Sequence, residues 1–345
     1  MLAIESISQM KRSELPFLTV LTGDDVGQFE ELKRLFLEKI GYDRSDLNIS
    51  YFDMKEAPYA EVENDLISLP FFEEEKLVIL DHFVDITTIK KRSLSDDELK
   101  AFESYIEQPV ETTRLIIFAE GKLDSKRRLV KLLKRDGRIL EASQPKDEEI
   151  RRYFTHVSHE KGLQFAPQVF EELLVKSGFQ FSEMTKNLAF LEGYKKTGII
   201  SSEDIVEAVP KTLQDNIFDL TQLILNSKID AARSLVQDLR LQGEDEIKLI
   251  AIMLGQFRTF LQVQLLAEGG RGEQQIVADL SHYLGRKVNP FQVKYALRDS
   301  RRLSLAFLEA SVTCLIETDY QIKSGIYEKD YLFDLALLKI SQNNL

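Results

Sequence analysis

A chain of 345 residues with 43% hydrophobic side chains can bury sizeable cores and is longer than one typical domain. Its formal net charge of -12 excludes a protein that coats nucleic acid over its whole surface, because phosphate neutralisation needs a basic face. The single cysteine, Cys314, has no partner for an internal disulfide and lies in an apolar helical pattern, so it reads as a small core side chain in a reducing compartment, the cytoplasm.

The first residues, MLAIESISQMKRSELP, lack a basic segment followed by an apolar run of signal-peptide length, and no later run is expected to approach a membrane span. The mature chain is accordingly expected to be the whole chain. Residues 17–142 alternate apolar runs with helical patterns, which predicts an α/β layer fold with a mostly parallel sheet. Strands are expected at 17–21, 49–52, 77–80, 115–118 and 139–141, with helices at 28–39, 60–67, 95–106 and 125–134.

The turn after the first strand, TGDDVGQFEELK, stands where a nucleotide-binding α/β domain cradles phosphate. A P-loop needs glycines followed by Lys and then Ser or Thr. Gly23 and Gly27 are present, but Gln28 and Phe29 occupy the Lys and Ser/Thr places, and Asp24 and Asp25 repel a triphosphate. The expectation is no ATP binding. The third strand ends in Asp81 without a following catalytic Glu, so Asp81 reads as a turn or helix cap.

Just before that strand, ISLPFFEEEKLVIL (67–80) places Leu69, Pro70, Phe71 and Phe72 outside the sheet, behind a charged collar of Glu73, Glu74, Glu75 and Lys76. Pro70 keeps the segment from being a helix interior. Adjacent side chains of an extended segment face opposite ways, so two neighbouring phenylalanines are not both core. An exposed aromatic wedge meets a partner, whereas composition alone favours tucking a ring beneath the sheet edge. Further on, KLDSKRRLVKLLKR (122–135) predicts a basic amphipathic helix with Ser125 as N-cap. Its Lys126, Arg127, Arg128, Lys131 and Lys134 read as a solvated face, or as a patch for DNA phosphates or an acidic partner.

From Pro145 no strand pattern follows. Helices are expected at 147–161, 167–176, 182–194 and 202–208, with Pro167 in a first turn and Ser201 to Asp204 as a capping box. A larger helical unit begins at Pro210. There Ile247, Ile250, Leu254, Phe257, Leu261 and Leu265 share one face of a long helix, and Leu308, Val312, Leu315 and Ile322 share a face of another. Asn289 and Pro290 cap a shorter helix between them. The usual chemistry is missing. His156 and His159 lack further ligands for zinc, Gly269 to Gly272 form a flexible loop, and no G-x-S-x-G elbow or separated carboxylate pair is present.

The strings SLPFFEEEKLVIL (68–80), KLDSKRRLVKLLKR (122–135), IKLIAIMLGQFRTFLQV (247–263), NPFQVKYALRDSRRLS (289–304) and ETDYQIKSG (317–325), set in this organisation, resemble the delta-subunit family of the bacterial DNA polymerase III clamp loader. The resemblance implies an AAA+-like α/β domain at 1–145 without a functional P-loop, a helical lid at 146–210 and a helical collar for oligomerisation at 211–345. It implies a non-catalytic subunit of a DNA-directed DNA polymerase (nucleotidyltransferase) holoenzyme, with no cofactor, metal or catalytic residue of its own. Carried over residue by residue, Leu69, Pro70, Phe71 and Phe72 contact a hydrophobic pocket of the beta sliding clamp, with Phe71 and Phe72 as anchors. Implied partners are the clamp, the tau/gamma motor subunits and delta-prime in a hetero-pentamer, and primed DNA within the complex; no membrane is implied, and the site of action is the nucleoid-associated replisome. ATP binding by the motor subunits frees the wedge, which favours a clamp opened at one interface; hydrolysis releases the loader. The chain also lacks the Ser-Arg-Cys finger with which a subunit completes a neighbour's ATP site. Two readings from other classes stand beside this one: a degenerate nucleotide-dependent enzyme, and a helical nucleic-acid-binding module using the basic helix.

Overall fold

The apolar runs expected as strands pair in parallel, the arrangement open to runs buried on both faces and joined through helices. The computed structural model describes residues 2–7, 10, 15–70, 73–195, 198–285, 288 and 290–343. They fall into two compact units, Met1–Ala208 and Val209–Leu345. The first opens with α1 (Ala3–Ile7), β1 (Leu18–Gly23), α2 (Val26–Lys39), β2 (Ile49–Asp53), α3 (Tyr59–Ile67), β3 (Lys76–Asp81), α4 (Asp96–Glu107), β4 (Thr113–Glu120), α5 (Arg128–Asp136) and β5 (Arg138–Glu141).

The five strands form one sheet in the order β2-β3-β4-β1-β5, and every pairing is parallel. β1 and β3 are buried at every residue, which is why they read as continuous apolar runs, whereas the edge strand β2 leaves Tyr51 partly exposed. The core on one face gathers Val62 and Leu66 of α3, Phe102 and Ile106 of α4, and Leu129 and Leu133 of α5 against Val20, Val78, Leu80 and Ile117. Helix starts follow local chemistry. Asp25 accepts from the Gln28 amide at 2.8 Å to cap α2, and Ser95 with Glu98 closes a capping box on α4.

The rest of this unit is α6 (Asp147–Glu160), β6 (Leu163–Phe165), α7 (Val169–Lys176), α8 (Phe181–Tyr194), β7 (Gly198–Ile200) and α9 (Ser202–Ala208). The expectation of no strands after Pro145 is corrected by β6 and β7, which pair in parallel. Each has three residues, too few to show an alternation. Pro167 lies outside α7, whose N-cap is Gln168 at φ +70°. The box before α9 forms as expected: the Ser201 amide donates to Asp204 at 2.7 Å, and the Asp204 amide donates back to the Ser201 hydroxyl at 3.3 Å.

The second unit contains α10 (Leu213–Leu225), α11 (Ile229–Leu241), α12 (Glu246–Glu268), α13 (Glu273–Leu284), α14 (Pro290–Ser300), α15 (Leu305–Lys323) and α16 (Lys329–Asn343). Pro290 opens α14, as its fixed φ suits; Asn289, expected to cap it, lies outside the described residues. Central α12 packs against α10, α13, α14, α15 and α16. Its buried apolar residues are Leu249, Ile250, Met253, Phe257, Phe260 and Val263. The expected stripe is therefore rotated: Ile250 and Phe257 belong to it, but Leu265 is exposed. α12 is apolar on more than one side because several helices surround it, so spacing alone does not select the deepest face. By length and composition it is also long and apolar enough to cross a membrane, contrary to the expectation from the sequence. In α15, Leu308 and Leu315 are core as expected, while Val312 and Ile322 pack at its margin. Buried Glu246 draws α11 and α16 to the start of α12, through Arg240 at 2.7 Å and Lys329 at 3.1 Å.

Candidate functional site

The segment singled out before β3 leaves the sheet at the amino-terminal edge of its strands. α3 stops at Ile67, and Ser68 turns extended at φ -70°, ψ 152°. Leu69 precedes Pro70 and is thereby restricted to extended conformations. It is 69% exposed, a large apolar side chain standing in water. Phe71 and Phe72 lie outside the described residues.

The chain returns at Glu75, whose carboxylate faces the Arg114 guanidinium with one bond of 2.9 Å and a second, shorter one. That charge-assisted pairing holds the Glu75 carboxyl below the ordinary glutamate range. Lys76, expected in a charged collar outside the strand, is instead the first residue of β3 and only 5% exposed. Its ammonium donates to the Asp65 carbonyl, to the Ser68 hydroxyl at 2.7 Å and towards the Asp65 carboxylate at 3.4 Å. Thr113 adds a hydroxyl bond to the Leu66 carbonyl at 3.3 Å.

At the opposite edge of the sheet lies the turn that resembles a phosphate loop. The Asp25 amide donates to Ala142 at 3.2 Å, and Gly23 exchanges bonds with Gly121 at 3.1 and 2.6 Å. Gln28, in the place of a P-loop lysine, is buried and donates its side-chain amide to the Ser143 carbonyl at 2.9 Å. Gly27 lies against α8, where an added Cβ would come within 2.7 Å of the Ser182 amide nitrogen. A Cβ on Gly23 would stand 2.1 Å from the Ala142 carbonyl oxygen, at a φ of +150°. Both glycines therefore have packing reasons to be glycine. Gly23→Ala is expected to destabilise the fold by about 2–5 kcal/mol in urea unfolding, since the clash is with backbone.

Asp81 is neither a turn residue nor a helix cap. It is 4% exposed and accepts from the Lys33 ammonium at 2.7 Å, from the Tyr51 hydroxyl, and from the His82 amide at 2.9 Å. Burial, then the bond to Asp81, pushes the Tyr51 phenol well above its usual range. His82 sits in the left-handed region at φ +55° and meets Asp53 at 2.9 Å. His156 pairs with Glu160 at 3.3 Å, and among the described residues no three His, Cys, Asp or Glu side chains gather for a metal.

Residues 20–143 match the family described as DNA polymerase III, delta subunit, and residues 214–340 match its C-terminal domain. The DNA polymerase III subunit delta of Bacillus subtilis is 29% identical over 341 residues, covering 97% of this chain and 96% of its own length. This chain belongs to the DNA polymerase III delta-subunit family. The solved structure of the Bacillus subtilis DNA clamp loader delta protein aligns with a TM-score of 0.54 at 28% identity, over 99% of this chain and 98% of that one. The fold is the parallel-sheet α/β domain with helical additions that the resemblance implied. The role is that of a delta subunit, a clamp-loader component of the polymerase holoenzyme.

In this delta-family chain the basic helix starts later than expected. α5 begins at Arg128 with Arg127 at its N-cap, and Ser125 instead accepts from Lys134 at 3.0 Å. Asp124 organises the turn, accepting from the Lys126 amide at 3.1 Å. Arg127 bridges Asp124 and the carbonyls of Asp85 and Ile89, and Arg128 pairs with Glu107 at 2.9 Å. Lys126 and Lys131 are exposed. Sequence reading missed the neighbouring lysines Lys90, Lys91 and Lys122, which are also exposed. The Thr88 amide bonds the Lys122 carbonyl at 2.9 Å, bringing their two loops together. The run Lys90-Lys91-Arg92 was the available signal.

Proposed function

We propose that this delta subunit binds the beta sliding clamp through Leu69, Pro70, Phe71 and Phe72 and opens one interface of the ring for loading onto primed DNA. The observation that carries the reading is Leu69: a delta-family chain holds a large apolar side chain 69% exposed, on an extended Leu-Pro segment between two anchored ends. Such a side chain gains about 1.5–3 kcal/mol on full burial, which a hydrophobic pocket supplies. Opening follows from differential affinity: a wedge that fits the opened interface better than the closed one shifts the ring towards the open form.

The chain works without ATP of its own. This part of the reading is supported by Gln28 in the lysine place, by the Gly23 and Asp25 amides engaged with protein carbonyls, and by α8 against Gly27. The tau/gamma subunits supply the hydrolysis, delta-prime completes the hetero-pentamer, and the Val209–Leu345 unit serves as the collar that holds it together. Lys126 and Lys131, with Lys90, Lys91 and Lys122, offer phosphate contacts to primed DNA within the complex. The setting is the cytoplasmic, nucleoid-associated replisome.

The test is binding of the purified chain to its cognate clamp on a sensor surface, with ATP titrated separately by calorimetry. Saturable clamp binding and no heat from ATP are expected. Absence of clamp binding would overturn the reading, and saturable nucleotide binding would overturn its ATP-free part.

A further inference from the structure

We propose that Lys76 is a positioning residue for the clamp-binding wedge, an internal staple that fixes the direction in which Leu69 and Pro70 leave the protein. The inference rests on the clamp-binding reading above and deepens it.

A lysine at the head of a fully buried parallel strand needs a reason. Removing an ammonium from water is costly, and an aliphatic side chain of similar length would serve a core as well or better. Here the ammonium has three acceptors for its three protons: the Asp65 carbonyl, the Asp65 carboxylate at 3.4 Å and the Ser68 hydroxyl at 2.7 Å. All belong to the last turn of α3 and its C-cap. A cation there also meets the negative end of the helix and carbonyls that lack a helical partner.

The chamber around the staple is not optimised for stability. Asp65 Oδ2 is buried without a hydrogen-bond partner. A buried polar network with unfilled acceptors stabilises less than a well-packed apolar plug. What the arrangement does supply is geometry. Ser68 is the residue before Leu69, and Lys76 is where the chain re-enters the sheet, so one side chain joins the two ends of the loop. The Glu75–Arg114 pair and the Thr113 bond to Leu66 anchor the same ends to β4. With Ser68 joined to Lys76, the direction in which Leu69 leaves is fixed before binding, and affinity rises through preorganisation.

The experiment uses the full chain and its cognate clamp. Lys76→Met keeps length and apolar bulk while removing the donors, and is expected to weaken clamp binding about tenfold, with a lower unfolding midpoint because the Asp65 carboxylate loses its ammonium. Lys76→Arg, which restores donors to the chamber, is expected to recover part of the loss. Ser68→Ala removes one acceptor at a partly buried position and is expected to weaken binding about threefold with little change in unfolding; it carries the test if Lys76→Met does not fold. A structural role would not change the value of the wedge itself, so Leu69→Ala is measured in both backgrounds. If Lys76 positions the wedge, the Leu69→Ala penalty shrinks when Lys76 is Met. Wild-type affinity in a folded Lys76→Met, or in Ser68→Ala when Lys76→Met does not fold, would overturn this inference and leave the clamp reading standing, as would an undiminished Leu69→Ala penalty. Absence of wild-type clamp binding would overturn both.

Discussion

Replacing Phe71 and Phe72 together by alanine is expected to lower clamp affinity by on the order of a hundredfold or more while leaving the fold intact. The magnitude follows from what aromatic anchors contribute in a desolvated pocket: two truncated rings forfeit several kcal/mol, and every 1.4 kcal/mol or so is tenfold. The fold is expected to survive because neighbouring Leu69, in the same segment, is exposed. Affinity is read on the sensor surface, and the fold by circular dichroism. Leu69→Ala alone should cost roughly 1–2 kcal/mol, a smaller change of the same sign. If the folded double variant bound as tightly as wild type, the two rings would belong beneath the sheet edge and the contact would lie elsewhere.

The second large effect belongs to the other edge of the sheet. Lys33→Met is expected to destabilise the fold by about 3–5 kcal/mol in urea unfolding, because it strands a buried carboxylate. The side chain of Asp81 is 5% exposed and that of Lys33 16%, so water does little to replace the lost ammonium. Lys33 also stands 5.4 Å from the centroid of the Phe118 ring, a contact that methionine retains without the charge. The double variant Lys33→Met/Asp81→Asn should recover much of the loss, since the uncompensated charge goes with it. Recovery of stability in the double variant identifies the buried charge as the cause; equal loss in single and double variants would point to packing.

The sheet was legible because β1, β3 and β4 are buried nearly throughout, and such strands are continuous apolar runs in any order of reading. The helices of the first unit follow from caps and spacing, and their ends differ from expectation by a few residues, as at α5. What was not legible depends on contacts between distant residues. Lys76 looks like the tail of an acidic run until α3 ends beside it, which places Asp65 and Ser68 within reach of its ammonium. Asp81 shows no partner in sequence because Lys33 is 48 positions away on α2. The face of α12 was ambiguous for a related reason: when several helices surround one, burial is decided by which neighbour is thickest at each turn. At the site, Leu69 and Pro70 were readable as lying outside β3, whereas the staple beneath them was not.

The placement of the wedge and the basic turns on one sheet has a mechanical consequence. In a parallel sheet all strands begin at one edge and finish at the other, and the six residues of β3 span about 20 Å. Leu69 stands where β3 begins, and Lys122 and Lys126 stand where β4 has ended. On the proposed contacts, clamp and DNA would sit at opposite rims of this sheet without competing for surface. A ring drawn to one rim and a duplex passing the other would be kept at a fixed spacing by hydrogen-bonded strands, in the way a spacer in a jig keeps two parts in register.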